Sequence, residues 1–146
     1  MNKYSVSLEK AIKDNKLETL YSPKSPADIY ITSKDINRPG LILAGYEDYF
    51  EPERIQIVGL SEIGYLTGLP VLERQLVLER FFAKHPAAVL ISRNLEPVDD
   101  FMRLAQKYEV PILRSPDSTS NCMAMLIAYL SLELAERITR HGVLVE

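Results

Sequence analysis

The chain has 146 residues, 47% hydrophobic and 25% charged, with a formal net charge of -3 at neutral pH. This suits one globular domain that buries most of the surface its unfolded form exposes. It argues against a nucleic-acid-binding domain, which needs an excess of Lys and Arg to neutralise phosphates, but leaves room for a small anion in a local pocket.

One cysteine, Cys122, excludes an internal disulfide and a thiolate metal cluster, and reducing cytoplasm is the expected compartment. The first ten residues carry charges where a secretion signal needs an apolar run, so none is expected. The longest mostly apolar stretch, residues 122–132, is too short to span a bilayer.

In chain order, residues 5–14 place Leu8, Ala11 and Ile12 at helical spacing, with Ser5 or Ser7 as cap. Residues 17–21 and 28–32 read as strands, separated by a Ser-Pro-Lys-Ser-Pro segment that can continue neither ladder. Arg38-Pro39-Gly40 is a turn signal, and residues 41–46 are too short and apolar to classify. From Arg54 the pattern becomes regular. Residues 55–58 predict a strand, 61–66 and 71–83 helices, and 87–92 a fully apolar strand that belongs near the centre of a sheet.

Pro97 then opens a helix with Val98, Phe101, Met102, Ala105 and Tyr108 on one face, followed by a strand over 110–114. The last helix starts at Ser118-Thr119-Ser120, runs to about Arg137, and is apolar on more than one face. It is therefore buried on several sides or part of a subunit contact. Alternating strands and helices imply an α/β fold of three layers, with βα repeats, right-handed crossovers and a mainly parallel sheet.

For chemistry, Gly40-Leu-Ile-Leu-Ala-Gly45 has the glycine spacing of a Walker loop. Tyr46 and Glu47 stand where that motif needs Lys and then Ser or Thr, so the segment reads as a glycine-bounded turn. His85 and His141 have no His or Cys neighbours, and no metal site is indicated. The acidic run Glu47, Asp48, Glu51 and Glu53 reads as a solvated turn, and Cys122 as a buried thiol.

Ligands of open parallel sheets bind beyond the carboxyl ends of the strands. Here that edge carries Ser92, Arg93 and Asn94, then Arg114, Ser115, Ser118 and Thr119. Arg93 and Arg114 beside the helix start at Ser118 and Thr119 could hold a phosphate or carboxylate through guanidinium forks and backbone amides. Surface ion pairing and ordinary capping are the plainer account of the same residues.

Several segments together resemble the N-terminal domain of the HPr kinase/phosphorylase family. They are residues 38–46 (Arg-Pro-Gly-Leu-Ile-Leu-Ala-Gly-Tyr), 48–50 (Asp-Tyr-Phe), 53–57 (Glu-Arg-Ile-Gln-Ile), 92–97 (Ser-Arg-Asn-Leu-Glu-Pro), 110–114 (Val-Pro-Ile-Leu-Arg) and 141–145 (His-Gly-Val-Leu-Val), in matching order over nearly the whole chain.

The resemblance implies an N-terminal α/β domain over residues 1–140, similar in fold to the UDP-binding domain of Mur ligases. It implies that residues 141–146 open the first strand of a C-terminal kinase domain whose Walker loop lies further on. The expected role is non-catalytic, in assembly or regulation. The whole enzyme would be a cytoplasmic homohexamer that uses ATP and Mg2+ to phosphorylate a serine of the phosphocarrier HPr, and removes that phosphate by phosphorolysis, in carbon catabolite control.

His141 matches a family active-site histidine that would act only with the kinase domain attached. No cofactor is expected on these 146 residues themselves. The alternative is a stand-alone sensor that binds a nucleotide or phosphorylated metabolite at the Arg93 and Arg114 edge.

Overall fold

The computed structural model describes residues 4–46 and 50–135. In chain order the elements are β1 (Val6–Ser7), α1 (Leu8–Asp14), β2 (Glu18–Tyr21), a 3-10 turn (Pro26–Asp28), β3 (Tyr30–Ile31), β4 (Ile36–Asn37), α2 (Gly40–Leu43), β5 (Ile55–Val58), α3 (Leu60–Gly68), α4 (Val71–Ala83), β6 (Ala88–Ile91), α5 (Asp99–Lys107), β7 (Ile112–Arg114) and α6 (Thr119–Glu133). A five-stranded sheet runs in the order β2-β7-β6-β5-β4, and β1 pairs with β3 in a separate two-stranded ribbon. The fold is α/β with a mainly parallel sheet: β4, β5, β6 and β7 are parallel, and β2 joins antiparallel at the edge.

Burial on both faces explains why β5 and β6 carry almost no polar residues. Along β6, Val89 and Ile91 enter one core while Ala88 and Leu90 enter the other, the period of two that a pleated strand imposes. The first core joins the sheet to α2, α3, α4 and α5, with Phe82 edge-on to Phe81 and Phe101 at centroid distances of 4.9 and 5.1 Å. The second joins it to α1 and α6 through Leu8, Cys122, Leu126 and Leu130. As expected, the apolar strand lies at the centre of the sheet.

The N-terminal half is more finely divided than the sequence suggests. The strand expected over 28–32 shortens to Tyr30–Ile31, because Ser25 accepts from the Ala27 amide and Pro26 starts a 3-10 turn. Residues 41–46, which periodicity does not classify, begin as the short helix α2 and end in a turn. Its C-terminus is closed by Gly45 at φ 108, with Gly45 N–H bonding Ile42 O and Tyr46 N–H bonding Leu41 O. This double closure of a helix end requires a left-handed residue, which glycine supplies without a Cβ penalty.

The glycine pair that imitates a phosphate loop therefore opens and closes one turn of helix. The helix expected from Pro97 starts at Asp99, with Val98 in the cap position. The last helix is capped by Ser118, whose hydroxyl accepts from the Asn121 amide at 3.2 Å, and it ends at Glu133 with Leu134 at its C-cap, short of the end near Arg137 expected from the sequence.

Candidate functional site

The helices after β4, β5 and β6 all pack on one face of the sheet, whereas α6, which follows β7, packs on the other. The connections leaving β6 and β7 therefore diverge at the carboxyl edge, the place where open α/β sheets form a ligand crevice. Ser92, Arg93 and Asn94 follow β6, and Ser115, Ser118 and Thr119 follow β7, so the expected residues do share this edge.

Backbone hydrogen bonds zip the crevice together. Arg93 N–H donates to Asp117 O at 2.8 Å, Asn94 N–H to Ser115 O at 2.9 Å, and Ser115 N–H to Ile91 O at 2.9 Å. Arg93 and Asn94 adopt φ of 59 and 51, a left-handed pair that turns both amides toward the other loop. The side chains of Ser92 and Thr119 are joined hydroxyl to hydroxyl at 2.7 Å.

Arg93 is exposed, but Arg114 is committed: its Nε and Nη2 reach Glu18 at 3.0 and 3.3 Å, and its Nη1 reaches Glu96 at 3.0 Å and Leu95 O at 3.4 Å. Glu18 stands opposite Arg114 in the antiparallel register, so one guanidinium ties the edge strand and the 92–97 loop to β7. These pairs raise the Arg114 pKa above its ordinary value, with the Glu18 hydrogen bond the main cause. His141 lies outside the described residues.

A second construction on the same edge joins β4 to α3. Arg38 Nε and Nη2 grip the Glu62 carboxylate at 2.9 and 2.8 Å, and Glu62 Oε1 also accepts the Gly59 N–H at 2.9 Å. Glu62 is buried. Burial pushes its carboxyl up, but the Arg38 fork and the Gly59 amide together outweigh that and hold it below its ordinary value. The sequence reading passed over this pair, 24 residues apart. Its visible signal is a glutamate at the third position of a helix that follows glycine, where a carboxylate can reach back to the cap amide.

Gly59 brings the two constructions together. A Cβ there would collide with Thr119 Oγ1 and stand 3.1 Å from Ser92 Oγ, so the start of α6 rests directly on the end of β5. Cys122, one turn along α6, is buried, and burial raises its thiol pKa, which suits packing better than nucleophilic chemistry. The edge is a tightly cross-linked rim in which Arg114 and Arg38 are already engaged by carboxylates, while Arg93 is exposed. Among the described residues no helix is long and apolar enough to cross a membrane.

Against known proteins, the family described as HPr Serine kinase N terminus matches residues 6–130. Curated relatives named HPr kinase/phosphorylase include those of Caldicellulosiruptor bescii at 38% identity, Streptococcus gordonii at 39% and Alkaliphilus metalliredigens at 41%, each over 142 residues. Each match covers 97% of this chain and 46% of the relative, so the chain spans about half the length of these proteins.

A solved structure, the CBS and DRTGG domains of the regulatory region of Clostridium perfringens pyrophosphatase complexed with diadenosine tetraphosphate, aligns with a TM-score of 0.59 at 11% identity. It covers 85% of this chain and 46% of that one, a likeness of fold. The extent of the family match and the identity to these relatives show that the chain belongs to the HPr kinase/phosphorylase family, of which it is the N-terminal domain.

Proposed function

We propose that this chain is a non-catalytic assembly and regulatory domain of an HPr kinase/phosphorylase, and that the phosphoryl transfer belongs to the remainder of the protein. The observation that carries the reading is the match itself, which spans nearly all of this chain and only the first part of each relative. The geometry agrees with it: the glycines at 40 and 45 open and close one short helix, and Tyr46 follows where a phosphate loop needs Lys. The arginines of the carboxyl edge are either exposed or engaged by carboxylates.

On this proposal the whole protein is a cytoplasmic homo-oligomer, a hexamer as in the family. It uses ATP and Mg2+ to phosphorylate and dephosphorylate a serine of HPr. His141 contributes only with the kinase domain attached. Arg114, Ser118 and Thr119 would take an anion only by exchanging the internal pairs described above, whereas the exposed Arg93 would meet it directly.

The test has two parts. The coding sequence beyond Glu146 is read for Gly-x-x-x-x-Gly-Lys followed by Ser or Thr. The 146-residue chain is then incubated with HPr, ATP and Mg2+ beside a chain that includes the downstream residues. Phosphorylation by the longer chain alone supports the reading. Phosphorylation by the 146 residues, or a stop codon directly after Glu146, overturns it.

A further inference from the structure

Helix α4 is apolar on two opposite sides. Val77, Leu78, Phe81 and Phe82 are buried against the sheet, at the spacing of an amphipathic helix. Half a turn away, on the line that points furthest from the sheet, stand Leu72, Leu76 and Ala83, where a surface helix ordinarily carries its charges. Leu72 is 76% and Leu76 63% exposed. Single exposed leucines are ordinary, but these two lie one turn apart, and α2, packed beside α4, adds Leu41 at 72%. Contiguous apolar surface of this kind marks a contact site.

The charges of α4 are displaced to its flanks. Towards α5 they are spent within the domain, where Arg74 holds Asp100 at 2.9 Å and Glu79 holds Lys107 at 3.0 Å. On the other flank Glu73 and Arg80, two turns apart, are exposed, and Glu73 has no side-chain partner among the described residues.

These features select the occupant. A second copy packed antiparallel on α4, with a two-fold axis beside Leu76, sets the two Leu76 side chains against each other and keeps each flank opposite the same flank of its neighbour. Glu73 of each copy then faces Arg80 of the other, with one pair at each end of the leucine contact. The surface is therefore complementary in charge to itself, whereas an acidic or basic partner would leave one of the two charges opposed. The chain reaches the end of its match with the longer relatives through α6, on the opposite face of the sheet, which favours a second molecule over the relatives' remaining half. Helix α4 is about 20 Å long and α2 lies about 10 Å beside it. Two copies would bury on the order of 1,000 Å² in total, the range of reversible contacts.

We propose that this chain forms a two-fold dimer through the outward face of α4, with Leu76 at its centre and reciprocal Glu73 and Arg80 pairs around it. The contact goes beyond the assembly described above by naming its surface, and it does not depend on a kinase domain.

The test is sedimentation of the 146-residue chain from about 5 µM to about 500 µM, a range that spans a contact of this size. A monomer–dimer equilibrium is expected. Leu76→Glu places like charges at the axis and should weaken it at least about tenfold. Glu73→Arg should also weaken it, and Glu73→Arg combined with Arg80→Glu should regain most of that loss, because the exchange restores two opposite-charge pairs. All three positions are exposed, so the variants should fold, and their denaturant midpoints verify it. A chain that stays monomeric at about 500 µM, a dimer that Leu76→Glu leaves intact, or a double variant no better than Glu73→Arg would overturn the proposal. None of these results bears on the phosphorylation test above.

Discussion

Thr119 occupies the space that a side chain at position 59 would need, and its hydroxyl is held there by Ser92 at 2.7 Å. The end of one strand, the loop after the next and the start of the last helix are thereby packed around a missing methyl group. Gly59→Ala is expected to destabilise the domain by about 1–3 kcal/mol, the usual cost of overpacking. Adding Thr119→Ala should return part of the loss, because the two changes share one space. Urea unfolding of the two single variants and the double variant measures both effects. Additive losses would show that the contact does not limit the packing.

The Arg38 and Glu62 pair is asymmetric, with Glu62 buried and the Arg38 side chain 38% exposed. Arg38→Ala strands a carboxylate away from water and is expected to cost about 2 kcal/mol, below the 3–5 kcal/mol for a fully buried pair. Glu62→Gln retains an acceptor for the Gly59 amide and should cost less than Arg38→Ala. Denaturant midpoints at neutral pH give the order.

Acid should weaken the fold through the same group. Glu62 titrates lower in the folded protein than its ordinary 4.5, so its stabilising contribution is complete above that value and is lost as the pH falls through the lower folded value. Asp100 behaves alike: burial opposes its ionisation, but Arg74 and Arg103 more than compensate and lower it from 3.8. In Glu62→Gln, the loss of stability between pH 5 and pH 3 should be shallower than in the parent chain, as thermal unfolding across that range would show.

Gly45 carries the left-handed turn that ends α2. Gly45→Ala should destabilise by about 1 kcal/mol, the penalty of a Cβ in that conformation. Gly40→Ala meets nothing within 4 Å at the opening of the same helix and should be neutral or slightly stabilising. Equal losses at both glycines would contradict the division of roles described here.

At the rim, Arg114→Ala should lower the melting temperature more than Arg93→Ala. The first removes the fork to Glu18 and the bond to Glu96, while the second removes an exposed side chain whose backbone makes the contact. Parallel thermal melts decide it.

Much of this architecture is legible in the residues. The run at 55–58 and the apolar strand centred on Val89 and Leu90 declare a sheet covered on both faces, and Ser118 declares the start of α6. Strands of two residues, such as Val6–Ser7 and Ile36–Asn37, leave no periodicity to read because tertiary pairing alone defines them. The reversal of β2 is likewise invisible until Glu18 meets Arg114.

At the candidate site, the rule that ligands sit beyond strand ends points to the edge where Ser92, Arg93, Arg114, Ser118 and Thr119 gather. Spacing could not reveal that Arg114 is spent on carboxylates 18 and 96 residues away. Nor does a glutamine within an aliphatic strand announce that it is fully buried with its amide turned to Arg54 O.

Both margins of the sheet are poor templates for further strands. On one side β4 offers two residues, and on the other the pairing of β2 shifts register between Thr19 and Tyr21. Short and irregular margins of this kind disfavour main-chain pairing with a neighbouring chain. The exposed apolar side chains lie instead on the helices, with Ile127 and Leu132 on α6 and Leu72 and Leu76 on α4.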